Sequence, residues 1–294
     1  MEIREVVQHP HDALFKRTMI DKDVALDFIN NYIPEDIQSK MDLSELSIAK
    51  DSFIKKELKE KLSDILYQVK IDDREVYIYL LFEHKSYYDV LAPVQLLGYL
   101  TDIWDLHWKQ FSGKKLPVIL PIFLYHGDKK WDKGNKLSNI LQQPPEGFEK
   151  FVPDYNFLFY DFSGLTDEEI KGNIKLKIYS YLVSKLFSED FYTVLDNVLP
   201  LLLELNRQKT GMDYIITVLT YIMSVYKEVS TIEELKQEIG KVSKEGRDMV
   251  MTLAEKLLEE GREEGREEGR EEGKKEELIN TIEVLLEKNL RKKF

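Results

Sequence analysis

Asp64, Glu83 and Lys85 are the residues of this chain whose types and spacing point to chemistry. They border two runs rich in β-branched and aromatic residues, "ILYQVKI" and "REVYIYLLF", separated by Asp72-Asp73, which is the composition of a hairpin. Side chains alternate faces along a strand, so Glu83 and Lys85 are expected to share a face with Tyr77, Tyr79 and Leu81. A two-residue turn at Asp72-Asp73 sets Asp64 opposite Leu81 on that face, with Glu83 as its diagonal neighbour. Such diagonals lie about 7–8 Å apart or somewhat less, a gap that one metal ion bridges through two carboxylates. A three-residue loop moves Asp64 to the other face. Two carboxylates and a lysine at this separation suit phosphodiester hydrolysis, which needs charge stabilised on phosphorus and a water made nucleophilic at neutral pH. A hard ion such as Mg²⁺ supplies both, and Lys85 can orient or deprotonate the water or offset phosphate charge. A solvent-facing salt bridge at a strand end accounts for the same three residues equally well.

Around the hairpin, the sequence predicts the elements that would hold it. "DKDVALDFINNYIPEDI" offers Asp21 as an N-cap, apolar Val24, Ala25, Phe28 and Ile29, and Pro34 as a stop. "APVQLLGYLTDIWDLHWKQF" sets Leu96, Leu100, Ile103, Trp104 and Leu106 at helical spacing, with Pro93 near its first turn. "LPVILPIFLYH", bounded by Gly113 and Gly127, suits a strand buried on both faces. Helix, hairpin, helix and buried strand predict an α/β domain over residues 1–165, its sheet covered by helices. Residues 166–258 read as an all-helical region without a polar cluster suited to chemistry. Thr166-Asp-Glu-Glu169 and Thr231-Ile-Glu-Glu234 match capping boxes there, and "FYTVLDNVLPLLLELN" and "MDYIITVLTYIMSVY" read as buried helices. The rest, 259–294, contains "EEGREEGREEGREEGKKEE", whose period of four makes any stripe drift by about 40° per repeat. Its glycines cost nearly 1 kcal/mol apiece relative to Ala. Pairs such as Glu263 with Arg266 and Glu267 with Arg270 return a few tenths of that. The balance is a marginal solvated helix or a flexible linker. The amphipathic "LINTIEVLLEKNL" that follows offers a stripe for a partner helix, so a homo-oligomer joined through the C-terminal region is expected.

Composition closes off other classes. Without cysteine there are no disulfides, thiolate nucleophiles or Cys-based zinc sites. "MEIREVVQHP" lacks a signal-peptide pattern, and the apolar stretch "YIITVLTYIMSVY" is too short to span a bilayer. A cytoplasmic protein that avoids membranes is therefore expected. A formal charge of −12 opposes broad attraction to polyanions, although ten acids against five bases between Glu259 and Glu277 supply part of it. Contact with a phosphate backbone would need local clusters: Lys55, Lys56, Lys59 and Lys61, or Lys114, Lys115, Lys129, Lys130 and Lys133. Either cluster alone reads first as a solvated face. The histidines do not gather in sequence: His9 and His11 stand near the N-terminus, His107 reads as a packing residue and His126 as a turn residue. No Gly-x-x-x-x-Gly-Lys phosphate loop is present.

Asp64, followed by Glu83-x-Lys85 after an apolar strand, resembles the PD-(D/E)xK nuclease signature. The words "HDALFKRTM" (11–19), "FINNYIP" (28–34), "YLLFEHKS" (79–86), "QLLGYLTDIW" (95–104) and "PIFLYHG" (121–127) resemble the Rpn family of recombination-promoting nucleases, also labelled transposases. The Gly-Arg-Glu-Glu tail is similar to that family's variable C-terminal repeats. The resemblance implies a restriction-endonuclease-like core, a central mixed sheet flanked by helices, that cleaves DNA with Mg²⁺ or another divalent cation and is linked to recombination or mobile elements. It implies Asp64 and Glu83 as metal ligands, with the backbone carbonyl of His84, and Lys85 as the catalytic lysine. Gln95 and Tyr99 resemble a Gln-x-x-x-Tyr element near the active site of related nucleases; the polar side of a packed helix is their other reading. Asp12 is either a further metal-binding carboxylate or an N-cap. Two rival functions stay open: a catalytically silent nucleic-acid- or protein-binding assembly factor, and a nuclease directed at RNA. The intact Asp64, Glu83 and Lys85 set favours the nuclease over the silent binder.

Overall fold

The computed structural model describes residues 9–49, 65–71, 74–83 (backbone, with the Val76 side chain), 88–111, 115–208, 211–252 and 254–255. The chain is mixed α/β and divides into two compact units, Met1–Thr231 and Ile232–Phe294.

The first unit opens with α1 (Pro10–Met19), α2 (Lys22–Tyr32) and the short α3 (Glu35–Gln38). Asp21 caps α2 as expected, its carboxylate accepting from the Asp23 N–H at 3.0 Å, and the helix ends two residues before Pro34. Five strands follow: β1 (Met41–Ile48), β2 (Ile65–Ile71), β3 (Arg74–Glu83), β4 (Val118–Tyr125) and β5 (Leu158–Asp161). They lie in sequence order in one sheet, antiparallel from β1 to β3 and parallel from β3 to β5. Between β3 and β4 runs α4 (Ala92–Gln110), with Pro93 in its first turn.

Alternate residues of each strand face opposite sides of the sheet, and both sides are buried. Leu66, Phe123 and Tyr125 join Ala92, Leu96 and Ile103 of α4 in one core, with Trp131 and Phe157. Tyr67, Ile122 and Leu124, of opposite parity, are also buried. On that second face, Phe28 and Tyr32 of α2 meet the Tyr160 ring edge-on at 5.6 and 6.4 Å. β4 is therefore buried on both sides from Pro121 onward, as its unbroken apolar run predicts.

Three helices complete the unit: α5 (Ile174–Lys185), α6 (Phe191–Arg207) and α7 (Met212–Val225). Thr166 and Glu169 do close on each other, but only around a single turn. The helix begins later because Gly172, at φ +99°, breaks the path, and Asn173 supplies the cap instead. These helices pack on the N-terminal ones. Lys175 Nζ reaches Asp21 at 2.5 Å, the Asn173 N–H donates to Asp27 at 2.7 Å, and Thr18 Oγ1 meets the Tyr214 hydroxyl at 3.1 Å. In the second unit α8 (Ile232–Val242) starts directly after Thr231, where the second capping box predicts it, and buries Leu235 and Ile239. Residues 244–252 are helical as well. The Gly-Arg-Glu-Glu repeat, its expected ion pairs and the terminal amphipathic segment lie outside the described residues.

Candidate active site

β2 and β3 form the hairpin in the two-residue register: Ile71 pairs with Arg74, Val69 with Val76 and Ile65 with Leu80. This is the register on which the grouping of Asp64 with Glu83 depends. Glu83 is the last residue of β3 and the Cα partner of Tyr125, the last residue of β4, which in turn partners Asp161 at the end of β5. Glu83 thus ends the first of three parallel strands, at their carboxyl edge, where open α/β sheets bind their ligands. Asp64, His84 and Lys85 lie outside the described residues, as do the lysines at 55, 56, 59 and 61.

Gln95 is exposed on the first turn of α4 and donates to Asp89 at 3.1 Å. Asp89 also accepts from the Leu91 N–H at 3.0 Å, so it organises the entry to the helix. Tyr99, one turn on, is half-buried against the core that holds Phe123 and Tyr125. The two expected neighbours therefore differ in role: one bonds at the helix entry and the other packs on the sheet. Asp12 sits in the first turn of α1, half-buried, with no side-chain capping bond at that terminus. Burial raises its carboxyl above the usual carboxylate range, against the opposing charges of Lys16 and His9.

The histidines gather more than their spacing predicts. His107 packs beside Phe111, ring centroids 4.9 Å apart, as expected. His126 is not a turn residue: directly after Tyr125 it is buried at 2% exposure, its ring 5.6 Å from that of His11. His11 Nδ1 lies 3.1 Å from the Tyr221 hydroxyl. Residues from α1, α7 and the segment after β4 thus meet beyond the end of β4, a junction formed across more than a hundred residues that no local pattern reveals. Among the described residues no three His, Asp or Glu side chains converge as a metal site. Two clefts, one bordered by Arg17, Asp21 and Lys175 and the other by Asp27, Asn30 and Asn173, include none of the expected site residues.

Sequence reasoning also missed a clamp beside this edge. The Tyr88 hydroxyl donates to Asp132, the Tyr88 ring lies 5.1 Å from Trp131, and Lys133 Nζ stands 5.8 Å over it. Burial and the Asp132 carboxylate push the Tyr88 hydroxyl up to about 12. The signal was a tryptophan set among lysines and aspartates in "DKKWDKGN". The five-lysine cluster divides, with Lys114 outside the described residues. Lys115 precedes β4 and Lys129, Lys130 and Lys133 follow it, so the eight-residue strand, about 26 Å at 3.3 Å per residue, separates them.

Over residues 9–213 the chain matches the family described as "Putative transposase, YhgA-like". It is 26% identical to the recombination-promoting nuclease RpnD of Escherichia coli O157:H7, over 84% of this chain and 94% of that relative. To the recombination-promoting nuclease RpnA of Escherichia coli strain K12 it is 25% identical, over 86% of this chain and 84% of the relative. It is 26% identical to the same strain's inactive recombination-promoting nuclease-like protein RpnE, over 86% and 82%. No solved structure matches the chain significantly. Matched over well more than half of its length, the chain belongs to the YhgA-like transposase family, that of the Rpn recombination-promoting nucleases.

Proposed function

We infer that the protein is a metal-dependent endonuclease that hydrolyses phosphodiester bonds of DNA in recombination or the traffic of mobile elements. Relatives named recombination-promoting nucleases support the reaction class. The single observation that carries the site is the two-residue register of β2 and β3, with Glu83 at the carboxyl edge of the parallel strands. The reading takes the five-stranded mixed sheet with α2 and α4 on its two faces as a restriction-endonuclease-like core in the cytoplasm.

Asp64, Glu83 and the His84 carbonyl are the residues that would hold the ion, and Asp12 is the candidate for a further carboxylate. All are hard oxygen donors, the chemistry that Mg²⁺ or a similar divalent cation prefers. When bound, the ion polarises the phosphate and lowers the pKa of a water. The chain's own contribution is to end β3 on one carboxylate, with the other one residue ahead of β2 in sequence, and to supply Lys85, which would orient or deprotonate the water. Gln95 and Tyr99 border the site from α4.

The test is plasmid nicking by the full-length protein with Mg²⁺ or with chelator, alongside Glu83→Ala, Asp64→Ala and Lys85→Ala. Cleavage should require the cation and vanish in all three variants, with melting curves preserved. Undiminished nicking by any of them would remove that residue from the site. RpnE, a relative at 26% identity, is named inactive and favours a second reading, a silent binding factor. That reading gains if the wild-type protein binds DNA with cation present and never cuts it.

A further inference from the structure

Residues 126–136, which follow β4, carry lysines at 129, 130, 133 and 136 against aspartates at 128 and 132, a local excess of two positive charges in a chain of net −12. The loop springs from Tyr125, the Cα partner of Glu83, and so begins beside the strand end that carries the candidate carboxylate. It is held firmly from below. Trp131 is sunk into the core at 6% exposure, and its Nε1 donates to the Gly134 carbonyl at 2.7 Å. The Tyr125 hydroxyl donates to the Lys129 carbonyl at 2.5 Å, Asn139 Nδ2 donates to the Lys133 carbonyl at 2.8 Å, and Tyr88 holds Asp132. The backbone at two of the lysines is thereby fixed.

The glycines serve the same shape. A methyl group at Gly127 would fall 2.1 Å from the Tyr125 hydroxyl, and Gly134 takes φ +66°. Lys129, Lys130 and Lys136 are exposed. Lys129 and Lys130 have no ion-pair partner among the described residues. Asp132 is already engaged by Tyr88 and by Lys133 Nζ at 3.1 Å, which leaves Asp128 as the loop's uncommitted acid. Lys136 lends its charge to Asp154, but the packing that fixes this loop makes no use of the Lys129 and Lys130 ammonium groups.

We propose that this pinned loop is a contact surface for the phosphate backbone of duplex DNA, with Lys129, Lys130 and Lys136 as the contacting side chains. The inference rests on the nuclease reading above. A preformed loop orders few groups on binding, and phosphate contacts position a duplex without reading its sequence. Such contacts would set the scissile strand beside the end of β3, in a molecule whose overall charge repels it. Each phosphate neutralised steepens the fall of log K with log salt by about 0.9.

The experiment measures anisotropy of a labelled duplex against salt, using full-length protein with Glu83→Ala to prevent cutting. Adding Lys129→Gln, Lys130→Gln and Lys136→Gln should reduce the slope by about 2 to 3, with the melting curve unchanged. A matched triple at exposed lysines elsewhere, Lys40→Gln, Lys171→Gln and Lys177→Gln, should leave the slope nearly as it was. An unchanged slope in the loop variant overturns the proposal, as does an equal reduction in both triples or an effect confined to duplex RNA. Wild-type plasmid cleavage, run in parallel, separates the two readings. Cutting with an unaltered loop-variant slope refutes the loop alone. A reduced slope without any cutting refutes the nuclease and upholds the DNA contact.

Discussion

Asp21 shows how one carboxylate can serve two structures. It caps α2 through the Asp23 N–H and accepts from Lys175 Nζ at 2.5 Å, tying the N-terminal helices to α5. Burial pushes its carboxyl up, but the bond and charge of Lys175 together with the Asp23 and Val24 N–H groups prevail and hold it below the usual range. A carboxyl depressed in the folded state stabilises the fold above the unfolded pKa of about 3.9, and that contribution is lost as pH falls through the folded value. Asp21→Ala should therefore cost about 0.5–2 kcal/mol at neutral pH, the range for a lost N-cap, and the gap to wild type should narrow in acid. Urea titrations at the two pH values check this; a gap that widens in acid contradicts it. The capping role was legible, since Asp21 precedes a helical period that Pro34 stops. The lysine was not, because it lies 154 residues away in sequence.

At the scale of elements, the two-sided burial of β4 decides the most. Phe123 is wholly buried, with the rings of Trp131, Phe157 and Phe159 at 5.3, 6.0 and 5.5 Å. Phe123→Ala should cost about 3–5 kcal/mol in chemical denaturation and weaken both the α4 contact and the anchoring of the 126–136 loop. A cost below about 1 kcal/mol would show that this cluster collapses around the gap. β2, β3, β4 and α4 were legible because apolar runs, turn residues and an early proline mark them. β1 was not, since Asp42, Ser44 and Glu45 give an edge strand little apolar signal, and β5 was missed because four residues are too few for a period to appear. Of the candidate site, the sequence carried the residue types and the hairpin register. The His11–His126 junction and the Tyr88 clamp needed the tertiary path.

For the whole molecule, the first unit closes on itself at residue 231, and the tail from 259 has no core pattern before Leu278. Removing residues 259–294 should leave a folded, cleavage-competent protein and change its association, because a single stripe of Leu278, Ile282, Leu285 and Leu286 gains stability mainly by packing on a partner. Light scattering on both forms reads this out. Equal masses would refute self-association through the tail, and an insoluble truncation would assign the tail to the core. The contact between Thr18 and Tyr214 spans 196 residues, so α1 leaves the ribosome long before the helix it rests on. At roughly 5–20 residues per second, about 10–40 s separate the synthesis of the two. Throughout that interval α1 lacks its lasting partner, and the sheet emerges before the first unit can close. A nascent chain that stalls before α7 should therefore be a target for chaperones or proteases, which ties the birth of any cutting activity to completion of the helical half.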